Sequence, residues 1–348
     1  MRERLDPRIF AWVAEALAER GVSSTRLAGY YNYNQVVWHR GARYLVRAPI
    51  PGAEPMDARP LPETIVLDFL ARWEYPAPRL ACEAADGSYR VFEFVPGRCL
   101  DALYPREQPL TDELVLGLAD LLRRLHGLPA TELARPAWMA APEGRGDLVL
   151  AGLLAEVEET HRRFLPSHGR LFAALGVPER PGADLASLAG RIGRRAFVVG
   201  HGDAHRKNIV IDAAQRMVLV DWEMARVTDP VFDLAVHFHK MGYRPDQERR
   251  FWRRYQEGAD RSTGGWTDQI GCYLRALWVK SAVVDSVRYA EEARPVSGDA
   301  AGVFGFAERL ADKLALARVV WRPPAREAAC TPAEIAAVLI RFGEGALI

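Results

Sequence analysis

Apolar positions along the chain follow two periods, and the change between them divides it. Asp6 and Pro7 form an N-cap and N1 pair, and Gly21 closes the helix that they open. From Ser24 to Ile50 Tyr, Val, Asn and Gly dominate, which predicts strands with tight turns at 32–35 and 40–42. A helix is predicted from about Pro62 to Trp73, then strands near 79–83 and 89–95. Residues 1–95 thus read as a small α+β lobe with an antiparallel sheet. Val95-Pro96-Gly97 interrupts that texture as a hinge. A helix over about 111–128 follows, then a Pro-, Gly- and Ala-rich connecting loop at 134–147 and helices near 147–178 and 184–195. Phe197-Val198-Val199 opens a short β-rich insert through Val220, and 229–348 is helical by period. The expected organisation is a lobe at 1–95 and a larger, mostly helical lobe at 96–348.

Composition narrows the class. A chain of 348 residues suits two domains or two lobes and needs no disulfide or metal to staple its core. The 46 basic and 45 acidic residues nearly cancel, which excludes a polycation built to coat nucleic acid. No apolar run is long enough to span a bilayer, and the start, MRERLDPRIF, lacks an apolar signal core. A cytoplasmic protein with neither a membrane nor a nucleic-acid partner is expected. Cys82, Cys99, Cys272 and Cys330 are scattered without metal-ligand spacing, as thiols in a reducing compartment would be. Only Lys207, Lys240, Lys280 and Lys313 are lysines; every other basic residue is Arg.

Chemistry concentrates in 199–235. His201-Gly202-Asp203-Ala204-His205-Arg206-Lys207-Asn208 precedes a strand, Asp221-Trp222-Glu223, Asp229-Pro230 and Asp233-Leu234-Ala235. Strands on either side of Asp212–Gln215 make a hairpin that brings Asn208 and Asp221 together, facing the loop that holds Asp203. Phosphoryl transfer to an alcohol needs such a set. One carboxylate orients the hydroxyl or accepts its proton, and an amide oxygen and a second carboxylate hold Mg²⁺ on the phosphates. Asp203 takes the first role, as base or orienter; Asn208 and Asp221 take the second. A polar turn between helices is the competing reading.

HGDAHRKN, LVDWE and DPVFDLA together resemble the aminoglycoside phosphotransferase and choline kinase superfamily, relatives of the protein kinases, from about Thr25 to about residue 290. The resemblance implies a bilobal protein-kinase-like fold and transfer from ATP or GTP, with Mg²⁺, to a small-molecule hydroxyl. It likens Leu27–Val37 to the nucleotide-flap hairpin, with Asn34 near the phosphates. It places Arg47 where kinases carry a phosphate-binding Lys, since this lobe has none, with Glu63 as its helix partner and Asp68 as the alternative. Phe92–Gly97 resembles the hinge, where backbone at Glu93 and Val95 would bond a base. His201 and Asp233 are expected to tie the catalytic loop together, and His205 to touch phosphate or to pack. His126 is expected to be structural. Arg206-Lys207 either adds charge beside the γ-phosphate or faces solvent. No activation segment separates Asp221 from Asp229, which disfavours a protein substrate.

The late helices bear on the acceptor. Residues 241–348 hold 16 basic and 14 acidic residues, a poor match for a polycation that needs carboxylates. Trp252, Trp266, Tyr273 and Trp278 either stack on a ligand or fill the core. The expected acceptor is a neutral or anionic sugar- or nucleoside-containing antibiotic. A housekeeping kinase of choline, a sugar or homoserine is the alternative, and a silent nucleotide-binding module is a third reading.

Overall fold

The computed structural model describes residues 25–27, 31–39, 41–50, 56, 58–134, 144–257, 265–321 and 328–346. The helix expected at 6–21, residues 28–30 of the flap and residues 135–143 of the connecting loop lie outside the described residues. The described residues form two compact units. One comprises those within Met1–Ala134, Val198–Val227 and Lys240–Gly258; the other, those within Arg135–Phe197, Thr228–His239 and Ala259–Ile348.

The first unit is built on a five-stranded antiparallel sheet. Its strands are β1 (Thr25–Leu27), β2 (Asn32–His39), β3 (Ala42–Pro49), β4 (Leu80–Glu83) and β5 (Arg90–Glu93), in the order β1-β2-β3-β5-β4. Val37, Val46 and Val91 bury one face, with Tyr44 and Cys82 against them. The turn expected at 32–35 is instead part of β2. Asn34 pairs with Leu27 on one side and Arg47 on the other, and ladder bonding on both sides overrides the turn preference of Asn. Helix α1 (Glu63–Arg72) follows the sheet's first three strands and buries Val66, Leu67, Phe69 and Leu70.

Beyond the hinge, β6 (Arg98–Cys99) pairs with β8 (Ile209–Ile211), which pairs with β9 (Met217–Leu219); β7 (Val198–Gly200) leads into the loop before β8. Gly97 makes this approach feasible. Its φ is +151°, and a Cβ there would lie 2.3 Å from the Ile211 carbonyl oxygen. Helix α2 (Asp112–His126), within the stretch expected to be helical at about 111–128, starts at a Thr111 cap. It packs on the later helix Pro245–Gln256, where Arg254 pairs with Asp120 at 2.9 Å and His126 Nδ1 meets the Tyr255 hydroxyl at 2.6 Å.

Helices dominate the second unit: α3 (Gly146–Leu175), α6 (Trp266–Ala293), α7 (Ala300–Arg318) and α8 (Pro332–Gly343). Helix α4 (Pro230–Met241) runs from this unit to Lys240 and Met241, which belong to the first, and Pro245–Gln256 is α5. The α-helix expected at 184–195 is a 3₁₀ helix, Ala183–Arg191, followed by the short strand Arg194–Arg195. Gly190 and Gly193 weaken an α-helix there. Among the described residues no helix is long and apolar enough to cross a membrane.

Candidate active site

The loop between β7 and β8 is organised by its own polar groups. His201 is fully buried, and its Nδ1 accepts the Asp203 backbone N–H at 3.2 Å. Its other ring nitrogen, Nε2, therefore carries the proton and donates to the Val220 carbonyl at 3.1 Å. One imidazole thus ties Asp203 to the end of β9, packed 4.4 Å from the Trp222 ring. Gly202 has φ +74°, and a Cβ would sit 2.3 Å from the Met224 carbonyl, so only glycine fits between His201 and Asp203. The hairpin brings its two ends together as expected: Val220 N–H donates to the Asn208 carbonyl at 2.9 Å, and Asp221 follows directly. Asp221 itself holds a left-handed backbone, φ 67° and ψ 64°, which is uncommon for a non-glycine residue and concentrates at functional sites.

Asp203 is surrounded by donors. Asn208 Nδ2 donates to its Oδ2 at 3.1 Å and to its backbone carbonyl at 3.0 Å, which turns the Asn208 amide oxygen away from it. His205 Nε2 lies 3.4 Å from Oδ2, and the Lys240 ammonium pairs with Oδ1. Burial alone would raise the Asp203 pKa, but Lys240 and His205 outweigh it and hold the carboxyl well below the usual carboxylate range. Asp203 is thus a carboxylate across the physiological range, a better orienter than a base.

A second cluster forms around Arg47. Its Nη1 donates to both Glu63 oxygens at 3.1 Å, its Nε to Asn34 Oδ1 at 3.3 Å, and its Nη2 pairs with Asp221 Oδ1 at 3.1 Å. The β2–β3 register sets Asn34 directly opposite Arg47, and Glu63 opens α1. Arg47 is buried; desolvation opposes its charge, but Glu63, Asp221 and Glu223 more than compensate and raise its pKa. Asp68, the alternative partner, is not needed. Glu223 completes the cluster, with Arg59 at 2.9 Å and Asn32 Nδ2 at 3.4 Å. Burial and the neighbouring Asp221 push its pKa up to about 7, despite Arg59 and Arg47. A cavity of about 210 Å³ lies beside it, lined by Arg59, Leu61, Pro62, Glu63, Arg90 and Glu223.

Asn208 and Asp221 together offer one amide oxygen and one carboxylate, the hard donors that Mg²⁺ prefers. Among the described residues no group of three or more His, Cys, Asp or Glu is arranged to hold a metal. A metal at this pair would thus complete its shell with phosphate and water oxygens, the usual arrangement for Mg²⁺.

The remaining candidates divide. Glu93 ends β5 and gives its N–H to the Arg79 carbonyl at 2.8 Å. Val95 is half-buried just beyond. Asp233 is buried in the first turn of α4, in the second unit. Arg206 does neither of the things expected of it. It is buried and donates to the carbonyls of Met241, Tyr104, Pro105 and Gln108 at 2.6–2.8 Å, a structural clamp, whereas Lys207 is exposed. His205 caps the turn that follows it, accepting the Lys207 N–H at 3.3 Å. Tyr273 and Trp266 are core: the Tyr273 hydroxyl donates to buried Asp229 at 2.9 Å, and Trp266 lies under Arg195 at 5.2 Å. Sequence reasoning missed Lys240, Arg59 and Asn32. Lys240 carried one available signal, since only four lysines occur and one of them lies two helical turns past Asp233.

Among solved structures, an ethanolamine kinase of Plasmodium vivax is 16% identical, with a TM-score of 0.59 over 79% of each chain. A choline kinase of Streptococcus pneumoniae is also 16% identical, with a TM-score of 0.56 over 88% of this chain and 98% of its own. A macrolide 2'-phosphotransferase of Brachybacterium faecium is 17% identical, with a TM-score of 0.51 over 92% and 100%. These likenesses show a common fold, α+β and kinase-like, with a small antiparallel sheet. No curated protein matches. The model of the phosphotransferase enzyme family matches residues 25–266, which include both clusters and the loop that joins them, and on that match the chain belongs to this family of small-molecule kinases.

Proposed function

We propose that the chain transfers the γ-phosphoryl group of ATP or GTP to a hydroxyl of a small molecule, with Mg²⁺, and that the acceptor is a neutral or anionic sugar- or nucleoside-containing antibiotic. The carrying observation is the setting of Asp203: paired with Lys240 on one oxygen, held by His205 and Asn208 on the other, and joined through Asn208 to the hairpin that presents Asp221. Asp203 orients the acceptor hydroxyl and receives its proton late, as oxygen bonds to phosphorus. Asn208 Oδ1 and Asp221 hold Mg²⁺, which when bound neutralises charge on the nucleotide phosphates. Arg47, held in place by Glu63 at Nη1, offers Nη2 to a phosphate oxygen. The Glu93 carbonyl and Val95 backbone receive the base at the hinge, and His201 keeps the loop in register. The residues divide functionally into a nucleotide lobe at 1–95 and an acceptor-bearing lobe at 96–348. An aminoglycoside phosphotransferase and a choline kinase with bound AMP share the fold, which supports nucleotide use.

The acceptor reading rests on charge. Residues 241–348 lack the acidic excess that a polyamine needs, with 16 basic against 14 acidic residues. A choline-type acceptor needs an aromatic cage, and two of the four aromatic candidates, Trp266 and Tyr273, are committed to the core.

Asp203→Asn tests the mechanism. Turnover should fall by about 10²–10⁴ while Mg·ATP affinity stays near that of the wild type; near-normal kcat would remove Asp203 from the reaction. ADP release with kanamycin-type aminoglycosides, set against uncharged sugar and nucleoside antibiotics, tests the acceptor. Turnover of the aminoglycosides alone would overturn the charge argument.

A further inference from the structure

We infer that Lys240 reads an anionic group on the acceptor, a carboxylate or phosphate borne within a few bonds of the hydroxyl that is phosphorylated. The inference rests on the phosphotransferase reading above and adds a specificity-determining residue to it.

The argument starts from the acceptor capacity of Asp203. A carboxylate offers about four lone-pair positions, two on each oxygen. Oδ2 already serves Asn208 Nδ2 at 3.1 Å and His205 Nε2 at 3.4 Å. Oδ1 serves the Lys240 ammonium. Among the described donors, the position left for an incoming hydroxyl is therefore the second one on Oδ1. Asn208 marks the Oδ2 side as the side of the metal and the phosphates. Lys240 stands on the opposite oxygen, which is the one that the acceptor uses.

Two donors that share one carboxylate oxygen, each about 2.8 Å from it and diverging at its lone-pair angle, are about 4.5–5 Å apart. The Lys240 ammonium thus lies within reach of a group on the carbon next to the reacting one. Its side chain is 38% exposed, against 16% for Asp203, so it can turn toward a ligand without leaving a buried cavity. A negative oxygen at that place gains a charge-assisted hydrogen bond, and an ammonium there meets a like charge beside a partly dehydrated carboxylate. The same residue therefore attracts an anionic acceptor and rejects a cationic one.

A charge-matched series tests this: gluconate, glucose and glucosamine as acceptors at pH 7, with Mg·ATP, reading kcat/KM by ADP release. Wild-type enzyme should prefer gluconate to glucose by about tenfold or more and use glucosamine least. Lys240→Met also removes a cation from Asp203, so turnover of all three sugars should fall, but the gluconate value about tenfold further than the glucose value, while Lys240→Arg keeps the order. Equal loss for all three sugars in Lys240→Met would overturn the inference and leave Lys240 as a positioning residue for Asp203. A wild-type preference for glucosamine, or no acceleration by any of the three, also overturns it. Thermal stabilisation by Mg·ATP separates the two levels. A wild-type protein that Mg·ATP fails to stabilise sinks the phosphotransferase reading, whereas one that is stabilised but blind to acceptor charge sinks only this inference. Stabilisation of Lys240→Met by Mg·ATP shows that the variant is folded.

Discussion

Two arginines, Arg47 buried and Arg195 half-buried, each meet an aspartate in this molecule, and they differ in what is left over. In the second unit Arg195 donates to both Asp229 oxygens at 2.8 and 3.0 Å, and the Tyr273 hydroxyl and Val231 N–H add bonds at 2.9 and 2.8 Å. Asp229 is fully buried and its acceptor positions are filled. In the first unit Arg47 faces Glu63 and Asp221 with Glu223 nearby, and the Asp221 side chain is 37% exposed. Three carboxylates gather there, one with solvent-facing oxygen and one pushed up to about pKa 7. A saturated pair holds a fold, while a pair with surplus negative charge and open oxygens is ready for a cation. Burial and ion pairing alone do not separate them; unspent coordination capacity does.

The sharpest break of this comparison is a pair of truncations. Asp229→Ala removes a fully buried carboxylate and takes from Arg195 its carboxylate partner, and should cost about 3–5 kcal/mol in chemical denaturation, with Mg·ATP affinity preserved wherever the protein remains folded. Asp221→Ala should do the opposite: little change in unfolding, and Mg·ATP binding weakened on the order of a hundredfold in a nucleotide titration, because a full charge on the metal is lost. Asn208→Ala removes only a dipole and should weaken binding less. Unchanged affinity in Asp221→Ala would transfer the metal to another carboxylate, with Glu223 first in line.

Arg47→Ala is expected to raise the KM for nucleotide by about tenfold and to leave that for the acceptor nearly unchanged. A shift in the acceptor constant instead would place Arg47 outside the nucleotide site. The smallest effect concerns Glu223. Its folded pKa of about 7 lies above the ordinary 4.5, so the folded protein binds the proton more tightly. Its contribution to stability is therefore greatest below the ordinary value and falls as pH rises toward 7. Glu223→Gln should flatten the metal-free stability profile across that window, a change of about 2–4 °C in Tm. A profile of unchanged slope would show that Glu223 is not the titrating group.

Much of the site was legible because it is local. His201, Asp203 and Asn208 share one loop, and the short hairpin needed only a turn at Asp212–Gln215 to bring Asp221 back to Asn208. The order sheet, hinge, helices followed from periodicity, which is a property of neighbouring residues. Arg47 and Glu63 lie 16 residues apart and required the resemblance to a family before they could be paired. The turn at 32–35 failed because Asn favours turns in isolation, while ladder partners on both sides at Leu27 and Arg47 favour a strand.

By itself, then, the sequence determined the loop, its register and the donor types that phosphoryl transfer needs, since those depend on spacing along a few tens of residues. Tertiary structure alone decided which charges meet. Lys240 reaches Asp203 across 37 residues, Asn32 reaches Glu223 across 191, and Arg206 is drawn into a shell of carbonyls about a hundred residues away. A charged side chain makes no periodic mark on the sequence, and its partner is chosen by where the backbone folds back and by the cost of leaving it unpaired in a place from which water is excluded.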